Sequence, residues 1–503
     1  MPVREKRIGR SVKSALPKLV GAGLSVGIGC VYFAGAQRAI GMGDMAEMVV
    51  ASYTLGIPHP TGYPIYTWLG KIFLEIPTGG VPFRLTLMSV VCASLTLFIL
   101  YLIVVELLQN VTKDLFLRCT CGVVAVITLG LFRPFLHFAQ VSEVYALNSL
   151  LVALFFLLVF RWLRVHSETD LYLSAFVLGL GLGTHMTNIF LAPLLLCLVI
   201  ARRKQLRAML VSAALVAAGA SQYLYLLVRA QENPAYLHPL ARFSEDSDWT
   251  GRASAVYNWL WFITGARWRG HYARSFQEVS FKAEDLFHTV FDDYRTVGVV
   301  ALGLGAAYVI ARFRHKLEAL VLAWILVFEV AYYLFYQPSG SGMVLPLFSC
   351  LSIFAAFGVA AAWELASRAI GSRALRDVVR YGTAAAVAIG VAYGFLSKPP
   401  VNYSAQKAPA TLVNEMIKRL PQGSVVEGLE WNYEKIVDYF RIVEKRSIPF
   451  SQGACTPATL AEGKCFILGT QLKDRYLQEG RPLRLYLYVE DAAPIYQLLP
   501  RED

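Results

Sequence analysis

The stretch Gly41–Tyr66, GMGDMAEMVVASYTLGIPHPTGYPIY, gathers groups that can do chemistry. Asp44 and Glu47 stand three residues apart, so a helix places both carboxylates on one face. Such a pair could take a proton from a hydroxyl as general base, or hold a divalent cation. The plainer account is a pair of interfacial acids hydrating a helix end. His59 lies between Pro58 and Pro60, either as a turn residue bonded to a carbonyl or as a donor toward an anion. The prolines, with Pro64, fix φ and remove backbone donors, and Gly62 permits a sharp turn. Tyr63 and Tyr66 suit an aromatic belt at a membrane surface as well as a site.

Further candidates follow along the chain. Glu143 and Tyr145 open an apolar run, where a helix dipole alone would favour the acid. His185 lies in GLGTHMTN and can be a structural turn histidine or a site residue. Glu329 is an acid inside an apolar run, lining a cavity or pairing with an arginine. Arg242, Arg252, Arg267, Arg269 and Arg274 alternate with Trp249, Trp259, Trp261 and Trp268. Arginine forks bind phosphate and tryptophans sit at headgroup depth, so this stretch suits ordinary anionic headgroups or a lipid-linked phosphate donor.

The elements that must carry these residues belong to a membrane protein. The 503 residues are 56% hydrophobic and 16% charged, well below the charge of about 25% usual for soluble domains. Long apolar runs recur between Leu16 and Leu396 at lengths near the roughly 20 residues that cross a bilayer. The net charge of +12 sits between those runs, as cytoplasmic anchors do, and not in a nucleic-acid-binding patch. Alternation of basic loops gives about eleven spans. The N-terminus is expected in the cytoplasm, the first span retained for want of a small-residue cleavage site, and Asp44 outside. Two short arms over 171–200 are expected as a hairpin with His185 at its outer turn. The longest outer loop is expected over Arg229–Arg295, with the apolar Ala255–Gly265 lying in the interface.

Beyond residue 398 the pattern becomes that of a small α/β domain. Helices are expected over Thr411–Leu420 and Asn432–Lys445, and strands over Ser424–Gly428, Cys465–Thr470 and Leu483–Val489. Cys455 and Cys465 are either a disulfide in an oxidising compartment or two buried thiols. No cysteine spacing suits a metal.

Four ordered blocks also resemble a known family: DMAE, LGIPHPTGYPIYTWLGKIF, VSEVYALNSLLVALFFLLVFRW and LGLGTHMTNIFLAPLL. They resemble a group of multi-spanning proteins long labelled as a domain of unknown function, whose animal member is a secretory-pathway protein O-mannosyltransferase. That group looks like a branch of the GT-C glycosyltransferases. The resemblance covers about the first 200 residues, with NYSAQKAPATLVNEMIKRLPQGSVV as a further similar segment. It implies transfer of a sugar from a polyprenyl-phosphate carrier, with an essential acid in the first outer loop. Carried onto this chain, the acid is Asp44 with Glu47 beside it, and His59, Pro60, Gly62, Tyr63 and Pro64 match the loop signature. Thr61 stands where the motif usually has a second proline, and the turn QPSGSG lacks an acid expected between later spans.

The combined reading is an α-helical polytopic membrane protein, GT-C-like over residues 1–398, with an extracytoplasmic α/β domain over 399–503. Asp44 and Glu47 are the catalytic candidates. His59, Tyr63, Arg133, Glu143, Tyr145, His185 and Arg242 are the substrate-binding candidates. No cofactor is assigned, and a divalent cation is left open. The expected partners are a polyprenyl-phosphate sugar, a protein or glycan acceptor and the bilayer, without nucleic acid. A bacterial inner membrane is favoured over the endoplasmic reticulum. The competing reading is a transporter or flippase of lipid-linked sugars without catalysis, with Glu329 on its path.

Overall fold

A computed structural model describes residues 2–202, 206–243, 255–268, 270–337, 340–397 and 402–500. Arg203, Lys204, Trp249, Arg252, Arg269 and part of the QPSGSG turn lie outside the described residues. The chain opens with the long helix α1 (Pro2–Gly35), then two short helices, α2 (Asp44–Thr54) and α3 (Pro64–Leu74). There follow α4 (Val81–Gln109), α5 (Leu115–Gly130), α6 (Arg133–Ala139), α7 (Tyr145–Val165) and α8 (Glu168–Leu182). A 3-10 turn, Met186–Phe190, leads into α9 (Leu191–Ala201), α10 (Leu206–Ala220) and α11 (Leu224–Gln231). The remaining helices of this part are α12 (Ala255–Ile263), α13 (Phe276–Phe313), α14 (Leu317–Phe335), α15 (Leu345–Ala369) and α16 (Arg373–Ser397).

Among the described residues, eight helices are long and apolar enough to cross a membrane, and nine if the bent pair α5–α6 forms one span. The two other apolar elements are the arms α8 and α9, too short to span alone at 15 and 11 residues. Eleven crossings were expected, and the described residues supply eight or nine; the expected hairpin over 171–200 is the short pair α8 and α9, with His185 between them. The 72° bend between α5 and α6 has a local cause. Pro134 starts a new helix, and the Arg133 backbone N–H and side chain both donate to Asp293 of α13. Aromatic and aliphatic side chains of α4, α5, α7, α13 and α15 form the main core, with Trp162, Phe132, Phe348 and Tyr294 fully buried.

The long loop is shorter than its sequence suggests. Helix α13 starts at Phe276, where the Ser275 hydroxyl caps the N–H of Glu278. The S-x-x-E spacing that signals such a start is present in SFQE. Arg295, the expected end of the loop, is instead a break inside α13, with φ at +54°.

The C-terminal part comprises α17 (Ala408–Arg419), β1 (Ser424–Glu427), α18 (Trp431–Asp438), β2 (Phe450–Gln452), α19 (Pro457–Ala461), β3 (Cys465–Leu468), α20 (Thr470–Gln478), β4 (Leu483–Leu487) and β5 (Ile495–Leu498). The sheet order is β2-β1-β3-β5-β4. Strand β1 runs parallel to β2 and β3, with Val426 opposite Phe466, and β5 runs antiparallel to β3 and β4. Strand β3 is buried along its whole length, as a central strand covered on both faces should be. Cys455 and Cys465 form a disulfide, with their Cα atoms 5.6 Å apart. This unit shares its core with the start of the chain: Val49, Val50 and Tyr66 belong to one buried cluster with Leu412, Met416, Ile436, Phe440 and Phe466. Helix α18 therefore packs directly on α2, the helix that begins with Asp44.

Candidate active site

Helix α2 presents Asp44 at its first position, and Glu47 follows one turn later in the same first turn. The helix N-terminus favours both negative charges. Their surroundings separate them. Glu47 is fully buried, whereas the Asp44 side chain keeps 35% of its surface exposed. Glu47 accepts three hydrogen bonds: from the His59 backbone N–H at 3.0 Å, from His59 Nδ1 at 2.5 Å and from the Tyr236 hydroxyl at 2.6 Å. Burial opposes its ionisation, but His59, His238 and the Tyr236 bond hold its carboxyl below the ordinary range.

His59 connects the two acids. Its Nδ1 meets Glu47, and its Nε2 lies 3.7 Å from Asp44 Oδ2 and 3.0 Å from the Tyr63 hydroxyl. Burial would lower its pKa, yet Asp44 and Glu47 overcome that and raise it to about 9. The two carboxylates thus favour the protonated ring. Asp44 is itself pushed up by burial, pulled down by His59 and pushed up again by Glu47. Glu143 is buried and its carboxyl is raised well above the ordinary range, first by burial and then by Asp44, against the pull of His59.

Two glycines allow this geometry. Gly62 sits at φ +90°, and a Cβ there would come within 2.7 Å of Leu226. A Cβ on Gly56 would lie 2.2 Å from the carbonyl oxygen of Tyr236. That close approach lets the 57 and 237 backbones pair, through Ile57 N–H to Tyr236 O and His238 N–H to Ile57 O. The pairing delivers the Tyr236 hydroxyl to Glu47.

Asp44, His59 and Tyr63 face a cavity of about 920 Å³, within the usual range of ligand pockets. Its wall includes His238, Arg267 and Trp431, and also Phe190, Tyr332 and Tyr336, whose rings neighbour one another. Tyr145 and His185 are also on its wall. His185 accepts from the Thr187 backbone and lies 2.7 Å from the Thr187 hydroxyl, and burial keeps it neutral with a pKa of about 4.

The structure thus brings together Asp44, His59, Tyr63, Tyr145 and His185 around one cavity, with Glu47 and Glu143 buried close by. It does not bring in Arg133 or Arg242. Arg133 is paired with Asp293 and Asp292, and Arg242 is exposed and off the cavity wall. Of the long-loop arginines, the described one that reaches the wall is Arg267. Tyr236, His238 and Trp431 were not singled out from the sequence. The first two lie in NPAYLHP, a proline-bracketed Y-x-H that echoes PHPTGY, and that echo was the available signal. Trp431 had none.

Asp44, Glu47 and His59 each offer a ligand atom, all within 4.8 Å of one another. The set fits a hydrogen-bonded ion cluster better than a cation cage. Both Glu47 oxygens already accept hydrogen bonds, from His59 and Tyr236, so a cation there would have to displace them.

Residues 44–208 match the family described as the protein O-mannosyl-transferase TMEM260 N-terminal domain. The chain is 28% identical over 178 residues to a protein O-mannosyl-transferase tmem260 of Dictyostelium discoideum, covering 32% of this chain and 21% of the relative. It is 24% identical over 177 residues to the Mus musculus TMEM260 protein, covering 34% and 24%. Over nearly its whole length it superposes on ArnT from Cupriavidus metallidurans bound to undecaprenyl phosphate, with a TM-score of 0.58 at 12% identity, covering 95% of this chain and 97% of ArnT. Residues 44–208 are thus similar to the N-terminal domain of that family, and the chain as a whole has the GT-C fold of ArnT. It spans about a fifth to a quarter of the length of these relatives. The shared segment begins at Asp44 and holds the first-loop cluster, Glu143, Tyr145 and His185. The apolar helices and the ArnT fold make the protein an integral membrane protein.

Proposed function

We propose that the protein transfers a sugar from a polyprenyl-phosphate carrier to a hydroxyl of a protein or glycan, at the outer face of the membrane, with inversion at the anomeric carbon. The observation that carries this reading is the division between the acids: Asp44 is open to the cavity, whereas Glu47 is buried and fully bonded. Asp44 is the general base. As the acceptor oxygen bonds to the anomeric carbon, its proton passes to an Asp44 carboxylate oxygen. The bond from that carbon to the phosphate oxygen breaks, and the phosphate keeps the electron pair. Arg267 on the wall meets the charge left on the phosphate. His59 pulls Asp44 toward its ionised form in a site whose burial works against it. The cluster of Phe190, Tyr332 and Tyr336 on the wall suits the first prenyl units of the carrier.

The relatives are named for O-mannosyl transfer, and the ArnT structure holds undecaprenyl phosphate. Both supports favour a polyprenyl-phosphate hexose as donor and mannose as the first sugar to test. In this reading residues 1–398 form the membrane catalytic module with a cytoplasmic N-terminus, and 399–503 lie outside. Glu329, the acid invoked for transport, does not line this cavity; it borders a separate void of about 10 Å³. Purified protein with a panel of polyprenyl-phosphate sugars and candidate acceptors, read by mass spectrometry, tests the reading. One sugar should be transferred; movement of the lipid-linked sugar across vesicles without transfer would favour the transport reading instead.

A further inference from the structure

The C-terminal domain sends one side chain into the catalytic cavity. Trp431 opens α18 and lines the same space as Asp44 and His59. It keeps 37% of its surface exposed, unusual for an indole whose helix is packed on α2. Its ring stands edge-on to the His59 ring, with centroids 6.3 Å apart at 80°. Its position is fixed from behind. Lys435, one turn along α18 and buried, lies 5.9 Å from the Trp431 ring and 5.3 Å from the Tyr236 ring, and it is paired with Asp438 at 3.4 Å. The ring has few internal degrees of freedom, so holding it in the cavity costs little entropy.

An indole face beside a carboxylate and an imidazole suits one class of ligand. A hexopyranose has an apolar C–H face that stacks on an aromatic ring and hydroxyls that reach charged groups. The neighbouring rings of Phe190, Tyr332 and Tyr336 suit prenyl carbons, whereas Trp431 stands beside His59, the partner of Asp44. From this juxtaposition we propose that Trp431 is the platform for the sugar ring of the donor, so that the C-terminal domain forms part of the donor site. This inference rests on the transfer reading above and names the element that recognises the transferred group. It assigns the domain to sugar binding, and not to selection of the acceptor alone.

The test compares binding of undecaprenyl phosphate with that of undecaprenyl phosphate carrying mannose or glucose, to detergent-purified full-length protein. Wild type should bind one sugar-bearing lipid more tightly than the bare carrier. Trp431→Leu keeps apolar bulk but removes the aromatic face. It should cut the sugar-dependent gain by about five- to tenfold, with bare-carrier affinity and the melting temperature unchanged. Trp431→Phe should restore part of the gain. In turnover, Trp431→Leu should raise the donor KM more than it lowers kcat. Equal gains in wild type and Trp431→Leu would overturn the proposal, as would a wild type that binds bare and sugar-bearing carrier alike. A Trp431→Leu protein that loses stability and bare-carrier binding together would also overturn it, marking a packing residue. If Asp44→Asn abolishes transfer while Trp431→Leu is normal, the platform fails and the transfer reading stands; if wild type transfers no sugar at all, the transfer reading fails first.

Discussion

Replacing Glu47 with Gln separates the anchor of the site from its base. Glutamine keeps the shape of the side chain and removes its charge. Whichever oxygen becomes an amide nitrogen then faces a donor, either His59 Nδ1–H or the His59 N–H and Tyr236 O–H pair. A lost hydrogen bond to a charged group costs about 1.5–3 kcal/mol. His59 supplies a second route to the same figure. A histidine protonated up to about 9, against an ordinary 6.5, carries roughly 3 kcal/mol of folding free energy. Asp44 and Glu47 share that sum, so Gln should forfeit a large part of it. The expected destabilisation is about 3 kcal/mol at pH 7, in the range for breaking a buried pair.

The sign of its pH dependence follows from the direction of the His59 shift. Because the folded pKa is raised, the stabilisation is complete below 6.5 and is lost as pH rises through about 9. The penalty of Glu47→Gln should therefore be large at pH 7 and much smaller at pH 9.5. Thermal unfolding in detergent, followed by tryptophan fluorescence at both pH values, measures it. Tyr236→Phe, which removes one of the three bonds, should cost about 1–2 kcal/mol. Equal melting of Glu47→Gln and wild type at pH 7, or a penalty unchanged at pH 9.5, would refute the anchoring role.

Three further outcomes are expected. The profile of kcat/KM against pH should be bell-shaped, with its acid limb above the usual carboxylate range because Asp44 is raised, and its basic limb near 9 as His59 loses its proton. Steady-state rates across buffers check both limbs. Arg267→Ala should raise the donor KM about tenfold, whereas Arg242→Ala should leave it within about twofold, since only Arg267 is on the cavity wall. Chelation by EDTA should leave turnover unchanged, because Glu47 and His59 already satisfy each other; loss of activity restored by one divalent cation would reverse that reading.

The sequence carried the fold unevenly, for physical reasons. Apolar length and basic loops sufficed to locate the long apolar helices, although α13 starts inside the expected loop, since membrane helices must satisfy their own backbone and announce themselves by composition. The 72° bend after Gly130 and the break at Arg295 were hidden, because both depend on the distant pairing of Arg133 with Asp293 or on local backbone geometry. Strand β2, at three residues, is too short for a pattern to show, and β5 was not read from the sequence either. In the site, Asp44, Glu47 and His59 were legible because they are close in sequence and framed by prolines. Their unequal roles were not: helical spacing puts the carboxylates near one another, but only packing shows that Glu47 points into the core. Tyr236 lies 189 residues from Glu47, and Trp431 comes from the C-terminal part of the chain, so no local spacing could link either to the cluster. Arginine type alone could not rank Arg133, Arg242 and Arg267, because the ranking rests on which are already paired and which face the cavity.

The central claim is that Asp44 takes the acceptor proton. It is tested most directly with Asp44→Asn in the full-length purified protein, given a polyprenyl-phosphate sugar that wild type transfers. The expected result is at least a thousandfold loss of kcat, on the order of the contribution of a general base, with unfolding temperature and donor binding retained. Transfer at wild-type rate by folded Asp44→Asn protein would contradict the account and move the base to another carboxylate.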